Sequence, residues 1–333
     1  MEKEINGLLK AVVSSVNMKK IASYAVVVLG MISVVACQNQ GFNRTKSGLL
    51  YKIIPSGSGA KARPGQFLKL SFIQKIRDSV MYTSADAIPV YPPVDSPRAN
   101  YSATEIFSLL RKGDSAVVVI LADSIRTRSH QPLPPFIKRK DKIFILFKVL
   151  DILPNQGVVM EDREKAMNQV RAIRAKELDD YLATHHITGQ KTAKGTYVVI
   201  DSAGTGAAVD SGKQALVMYT GRLLPSGKIF ETNMSGPNNK PIPVVIGRRA
   251  VIPGWDEGLR LFKKGGKGTL YIPAAQAYDV QNGPGNKPFE NLEFEIQVVD
   301  VTDAPKETPR PNMMIPRKGL VNPPKPAVQA PHK

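Results

Sequence analysis

Two places in this chain hold residue types that could do a fixed piece of chemistry. The first surrounds Trp255, the only tryptophan in 333 residues, within Val251-Ile252-Pro253-Gly254-Trp255-Asp256-Glu257-Gly258. A Pro-Gly corner followed at once by a bulky ring is an unusual start to a helix. A ring held there reads as a floor for something apolar to lie against. The second is Cys37, the only cysteine, at the end of the apolar run Ile21 to Val35 that follows Lys19 and Lys20. A basic stretch, a short apolar stretch and small residues before a cut describe a secretory signal. The run is shorter than the ~20 residues that span a bilayer comfortably. Acid–base, nucleophilic and metal chemistry find little support. The histidines His130, His185, His186 and His332 lack metal-ligand spacing and a cysteine partner, so no metal and no cofactor are expected. Gly204-Thr205-Gly206 is a turn without the following helix that a phosphate loop needs.

Composition places these residues in an ordinary globular chain, with 42% hydrophobic and 22% charged residues. The length suggests about two domains with extras. A single cysteine allows no internal disulfide, so export is not opposed on that ground. Val34-Val35-Ala36-Cys37 resembles a bacterial lipoprotein box, which implies lipidation of Cys37 and a mature chain that begins there. A signal-anchor with an incidental cysteine is the plainer alternative. Glu2 and Glu4 suit a signal poorly, which leaves Met18 open as the true start. The net charge of +18 is concentrated in residues 41–155 and in the tail 304–333. Such patches attract anionic lipid, phosphate or acidic polypeptide, or they are a solvated surface with no dedicated partner. Nucleic acid is not an expected partner of an exported chain.

The elements that must position Trp255 follow from periodicity and from a repeat. Lys46-Ser47-Gly48 through Gly57-Ser58-Gly59-Ala60 to Gly65 recurs as Lys194-Gly195-Thr196 through Gly204-Thr205-Gly206-Ala207 to Gly212, Gly48 matching Gly195 at constant offset. Ile143 to Ile152 parallels Leu292 to Val301 in the same way. Two domains of one fold are expected. In the second, strands are predicted over 196–201, 214–223, 228–231, 243–246, 267–272 and 291–301. One short helix is predicted over roughly Trp255–Lys264, acidic at its start, lysine-rich at its end and stopped by Gly265. Leu259 and Phe262 should face the sheet with Trp255. The implied class is α+β, two domains each with a mostly antiparallel sheet wrapped around one short helix, joined by a helical connector. That connector is predicted over Glu161 to Thr184, with an acidic first turn, as an element that docks weakly or mediates pairing. The expected organisation is signal 1–36, tether 37–45, first domain 46–155, connector 156–190, second domain 191–303, and a Pro-rich basic tail 304–333 without apolar periodicity.

The second domain resembles the FK506-binding-protein (FKBP) type of peptidyl-prolyl cis–trans isomerase. The residues that carry this are Val217-Met218-Tyr219-Thr220-Gly221, Gly227-Lys228-Ile229-Phe230-Glu231-Thr232, Val251 to Gly258, Ile272-Pro273 and Ala277-Tyr278, all in order over about 194–303. The resemblance implies catalysis without nucleophile or metal. Rotation about an X–Pro bond costs about 18–20 kcal/mol because amide resonance is broken. The twisted imide is less polar than the planar one, so an apolar cup binds it in preference. By resemblance Trp255 is the floor under the proline ring, with Tyr219, Phe230, Val251, Ile252, Tyr278 and Phe294 as walls. The Ile252 backbone N–H and the Tyr278 hydroxyl would bond substrate carbonyls. Read without the resemblance, Val251, Ile252 and Phe294 serve equally well as core.

Some positions depart from the family pattern. Glu231 stands where Asp is usual, one methylene longer, which implies a shifted bond to Tyr219. Ile242 stands where an aromatic wall is common. Gly283 to Pro288 lacks the usual apolar isoleucine, which implies a shallower, wetter cup. The first domain resembles the fold more weakly over about 46–153. There Phe72 is expected at the place of Tyr219, Tyr82 at that of Phe230, Thr83 at that of Glu231 and Ala103 at that of Trp255. Without a floor it reads as a binding or dimerisation module. Together with the lipoprotein box at Cys37, the resemblance implies an exported, lipid-anchored isomerase of proline-containing unfolded polypeptides, held in the cell envelope at the outer membrane facing the periplasm, with dimerisation open. Its rivals are a non-catalytic chaperone using both domains and an envelope scaffold using the basic surfaces.

Overall fold

The computed structural model describes residues 41–305, apart from Ser58, Ala85, Asp86, Pro97, His130, Gln131 and Asn238. Cys37, the signal segment and residues 306–333 lie outside the described residues.

The first domain is a sheet of β1 (Asn43–Arg44), β2 (Leu50–Ile54), β3 (Phe67–Ile76), β4 (Ser79–Thr83), β5 (Ser115–Leu121) and β6 (Lys142–Leu153). Their order is β1-β2-β5-β6-β3-β4, with neighbours antiparallel. The predicted tether is shorter than 37–45, because Asn43 and Arg44 pair with Tyr51 and Leu50 and Phe42 packs beside Val117 and Phe144. A 3-10 segment over Ala103–Leu109 covers the sheet, and α1 (Ala122–Ser129) follows β5 directly.

After β6 the chain enters α2 (Gln156–Thr184). It begins five residues before the predicted Glu161 because Asn155 caps it, the side-chain oxygen accepting from the Val158 N–H at 3.1 Å. Glu161 and Asp162 therefore lie in the second turn. Asp162 serves the first domain instead, bonding the Lys69 ammonium and accepting from the Tyr91 hydroxyl at 2.7 Å.

The second domain comprises β7 (Gln190–Lys191), β8 (Tyr197–Ser202), β9 (Lys213–Leu223), β10 (Lys228–Thr232), β11 (Ile242–Val245), α3 (Pro253–Gly258), β12 (Lys267–Ile272) and β13 (Leu292–Asp303). The strand order is β10-β9-β13-β12-β8-β7, with β11 also on β9. Dropping the short outer strands, β8-β12-β13-β9-β10 repeats β2-β5-β6-β3-β4. Even the irregularities repeat: β6 bulges where Lys69 gives way to Leu70, and β13 bulges between Val298 and Asp300 at the matching place. The α+β class with antiparallel sheets is as the sequence implied.

Along β13, Leu292, Phe294, Ile296 and Val298 are all buried, the inward half of a period-2 pattern. They meet Trp255, Leu259 and Phe262 from the helical segment in one core. That segment is shorter than predicted and starts earlier. Pro253, with its fixed φ and no N–H to satisfy, opens α3, and Leu259–Leu261 then tighten into a 3-10 turn. Lys263 bridges to Ala208 and Lys264 enters a turn, so neither is helical: their N–H groups bond the carbonyls of Ala203 and Ala207 at 2.8 Å. Gly254 and Gly258 let this segment sit hard against β12: a Cβ would lie 2.4 Å from Ile272 Cγ2 at the first and 2.7 Å from Leu270 Cδ2 at the second.

Candidate functional site

Between α3 and the second sheet lies a cavity of about 440 Å³. Strand β9 supplies Tyr219, β10 supplies Phe230 and Glu231, β11 supplies Ile242, and β13 supplies Phe294. The loop into α3 adds Ala250, Val251 and Ile252, and the helix adds Pro253 and Trp255. The segment after β12 adds Ala277, Tyr278 and Gln281. All nine residues singled out from the sequence as catalytic or substrate-binding thus line one space. Ala250, Pro253, Ala277 and Gln281 also line it without having been singled out. The first three adjoin named residues, whereas Gln281 had no signal in spacing or type.

Four rings make the base and walls. Trp255 meets Tyr219 edge-on at 5.1 Å and 87°, and Phe294 at 5.2 Å and 90°. Phe230 meets Phe294 at 5.7 Å and 88°. Edge-to-face packing sets each ring's positive rim against a neighbour's negative face, which holds the box rigid. Trp255 is 3% exposed, so its ring belongs to the core as well as to the cavity floor. Among the described residues its Nε1–H has no hydrogen-bond partner.

Local backbone features aim the walls. Strand β10 shifts register between Ile229 and Glu231, and the bulge falls on Phe230. A bulge bends its strand and redirects the side chain it carries. Gly221, opposite both Glu231 and Phe294, leaves room for the turned ring. Asn233 fixes the following turn: its Oδ1 accepts from the Tyr219 N–H, and its Nδ2 donates to the carbonyls of Val217 and Lys240. Gly221, a residue of the motif to which the sequence assigned no role, and Asn233, which it did not mark, are thus supports of the wall. A lone glycine inside a strand was the available signal for the first.

The rim is polar. Burial foremost, then the Glu231 carboxylate, pushes the Tyr219 phenol well above its ordinary value, and a side-chain hydrogen bond joins the two. The longer Glu231 side chain therefore still reaches Tyr219. Burial and then Glu231 also raise Tyr278. Outside the cavity, Tyr271 is raised to about 12 by burial first and Glu293 second. A phenol whose folded pKa lies above its unfolded value near ~10 contributes stability that is complete below that pH and is lost as pH rises through the folded value. A site using these groups as neutral hydroxyls should give a rate independent of pH from about 6 to 9. The fold should melt in alkali between about 10 and 12, followed by circular dichroism. A rate inflection near neutrality would contradict this account.

The first domain has the same scaffold without the box. Strand register puts Gln74 and Ile145 together as Gly221 and Phe294 are together in the second domain. Ser84 bonds the Phe72 N–H as Asn233 bonds that of Tyr219. The expected partners in β4 are one residue off, since Tyr82 pairs with Gln74 as Glu231 does with Gly221, and Met81 occupies the bulge. Phe72 does match Tyr219, and Ala103 begins the 3-10 segment in place of a ring.

Among the described residues there is no group of three or more His, Cys, Asp or Glu side chains able to hold a metal. No helix there is long and apolar enough to cross a membrane.

Residues 206–299 match the family model described as FKBP-type peptidyl-prolyl cis-trans isomerase. The chain is 36% identical over 124 residues to the FKBP-type peptidyl-prolyl cis-trans isomerase FkpA of Escherichia coli K12, covering 37% of this chain and 44% of that one. It is 36% identical over 141 residues to a probable FKBP-type peptidyl-prolyl cis-trans isomerase of Haemophilus influenzae, covering 41% of this chain and 56% of the relative. It thus spans about half the length of the curated relatives it matches. The crystal structure of FkpA from Escherichia coli is similar at 29% identity and a TM-score of 0.36, over 45% of this chain and 68% of that one.

Proposed function

We propose that the FKBP-like second domain catalyses cis–trans isomerisation of X–Pro bonds in proline-containing polypeptides. The observation that carries this reading is the four-ring cavity with buried Trp255 as its floor, in a stretch that matches the isomerase family model. A proline ring laid on Trp255 would be walled by Phe230, Phe294, Val251 and Ile252. The Tyr278 hydroxyl at the mouth and the Ile252 backbone N–H would hold the flanking carbonyls. In that place water is displaced from the imide, so the planar, more polar amide loses more than the twisted one. Each ~1.4 kcal/mol of that difference gives about tenfold in rate. Tyr219 and Glu231, bonded to each other, shape the wall and carry no proton in the reaction. The test is a protease-coupled isomerisation assay on the full chain, with a Trp255 variant as control. A rate no higher than the uncatalysed background would end the enzyme reading.

The first domain, in this proposal, does not catalyse, since Ala103, Ile145 and Met81 replace three of the rings. A second reading, a chaperone that grips unfolded chains, draws on its edge strand β4. There Val80, Met81 and Tyr82 are consecutive and exposed.

Lipid attachment at Cys37, export and residence in the cell envelope, at the outer membrane facing the periplasm, belong to the same proposal, as does pairing of two chains. Support comes from the basic, apolar and small-residue pattern that ends at the only cysteine. Changing Cys37→Ser is expected to move the protein from the membrane fraction to the soluble one. Unchanged fractionation would defeat the lipidation argument.

A further inference from the structure

We propose that α2 is a working part of the site, with Arg171 as a positioning residue that holds the Tyr278 loop in its binding geometry through Asp279. This rests on the isomerase reading of the cavity.

The loop between β12 and β13 brings Ala277, Tyr278 and Gln281 to the mouth of the cavity. Its own backbone turns it tightly at both ends of Tyr278, the Ala277 N–H bonding the Ala274 carbonyl and the Gln281 N–H that of Tyr278, each at 3.0 Å. Tyr278 precedes Asp279, whose φ of 52° lies in the left-handed region that favours glycine and that Asp adopts at a smaller cost than most residues. Asp279 is nevertheless the hub of the loop: its N–H bonds the Ala274 carbonyl at 3.0 Å, and its carbonyl accepts from the Phe289 N–H at 2.7 Å. A strained residue persists where surrounding contacts over-determine it.

To these backbone bonds α2 adds the contacts that hold the Asp279 side chain. The Arg171 guanidinium grips the Asp279 carboxylate with both prongs, Nε to Oδ1 at 2.9 Å and Nη2 to Oδ2 at 2.5 Å. Paired N–H donors of this kind fix direction as well as distance. Arg171 is itself oriented by Asn168 Oδ1 at 2.9 Å, one helical turn earlier. A second clamp joins the two ends of the loop. The buried Asn291 donates from Nδ2 to the Arg174 carbonyl at 2.7 Å and accepts the Ala274 N–H at 2.8 Å. Further along the helix, Leu178 and Leu182 bury themselves against Tyr271 of β12. The helix thus grips the strand that leads into the loop, the loop's last residue, Asn291, and the residue after Tyr278.

The consequence is quantitative. If Arg171 is removed, the loop samples geometries in which the Tyr278 hydroxyl misses the substrate. Apparent affinity then falls by the fraction of time the loop is competent. A substrate once bound in the competent form reacts as before. Arg171→Ala in the full chain should therefore raise KM for a short X–Pro peptide about fivefold to tenfold and leave kcat within about twofold. Arg171→Lys keeps the charge but loses the fork, so it should fall between. Lys176→Ala is the control, since among the described residues Lys176 hydrogen-bonds Asp180 one turn on and no residue of the site.

Backbone hydrogen exchange supplies a readout that needs no activity. In Arg171→Ala the Asp279 and Phe289 amides should exchange at least about tenfold faster, while those of β9 and β13 stay unchanged. Unchanged KM and unchanged exchange at those two amides would overturn the proposal. So would a uniform rise in exchange across β9 and β13, which would make the ion pair a matter of global stability. An inactive wild-type chain would defeat the isomerase reading instead, and exchange at Asp279 and Phe289 would still report whether α2 holds the loop.

Discussion

Replacing Trp255 with alanine is expected to lower kcat/KM for X–Pro isomerisation by about a hundredfold, the loss of ~2.7 kcal/mol of preference for the twisted imide. Two separate losses are involved and can be measured apart. The ring is the cavity floor, so its removal opens the base of the cup to water and withdraws the surface on which proline would lie. The ring is also core, touching Tyr219 and Phe294 edge-on, so truncation should lower unfolding free energy by about 3–5 kcal/mol. Denaturant unfolding of each variant keeps the second effect from being mistaken for the first. Trp255→Phe is the sharper probe. The Nε1–H is buried without a partner among the described residues, and an unmade hydrogen bond there costs about 1–3 kcal/mol. Phenylalanine gives up some contact area but removes that orphan, so its stability should lie close to wild type while catalysis drops only a few-fold. A folded Trp255→Ala protein with unaltered kcat/KM would remove Trp255 from the mechanism.

Gly221→Ala is expected to be the second most damaging change at the site, although no glycine touches the substrate in this account. A Cβ on residue 221 would stand 2.6 Å from Phe230 Cζ and 2.9 Å from Phe294 Cε1, and both rings are walls. Neither contact can persist, so at least one ring must swing away from the edge-to-face pair they now form. Overpacking of this kind costs about 1–3 kcal/mol of stability. The same movement should reduce kcat/KM about tenfold, because a wall displaced by an ångström no longer excludes water from the imide. Near-ultraviolet circular dichroism, which reads the asymmetry of packed aromatic rings, should change together with the rate. Full activity with an unchanged aromatic spectrum would show that the wall has slack that the present geometry denies.

Much of this site is legible in the sequence. The repeated glycines announced two copies of one fold, and the motifs around Tyr219, Phe230, Trp255 and Tyr278 named the rings that the structure gathers. Periodicity located β9, β12 and β13 to within a residue or two, because one face of each is buried and alternation records that directly. Helix ends were harder. α2 began early because Asn155 caps it, and the helix at Trp255 ended early because the N–H groups of Lys263 and Lys264 were bound elsewhere. Charge at a helix end is a weak constraint, worth a few tenths of a kcal/mol up to about 1 kcal/mol. A made hydrogen bond to another segment overrides it.

The one-residue slip in β4 has the same kind of cause. A bulge adds a residue to one strand without changing the period of its side chains, so Met81, Tyr82 and Thr83 could be placed only when their partners in β3 were seen.

The sequence by itself determined which chemistry was available: an apolar aromatic cup, kept in the second copy and lost in the first at Ala103. Residue type carries that information, since an alanine cannot stand in for an indole wherever the chain puts it. Tertiary structure alone decided what holds the cup in shape. Gly221 matters because two rings cross above it, and Arg171 matters because α2 returns to lie behind the Tyr278 loop. Such contacts join residues distant in sequence, 108 positions apart for Arg171 and Asp279. No local spacing records them. They follow from how the helix and the sheet are stacked, so they become visible only when the chain is folded.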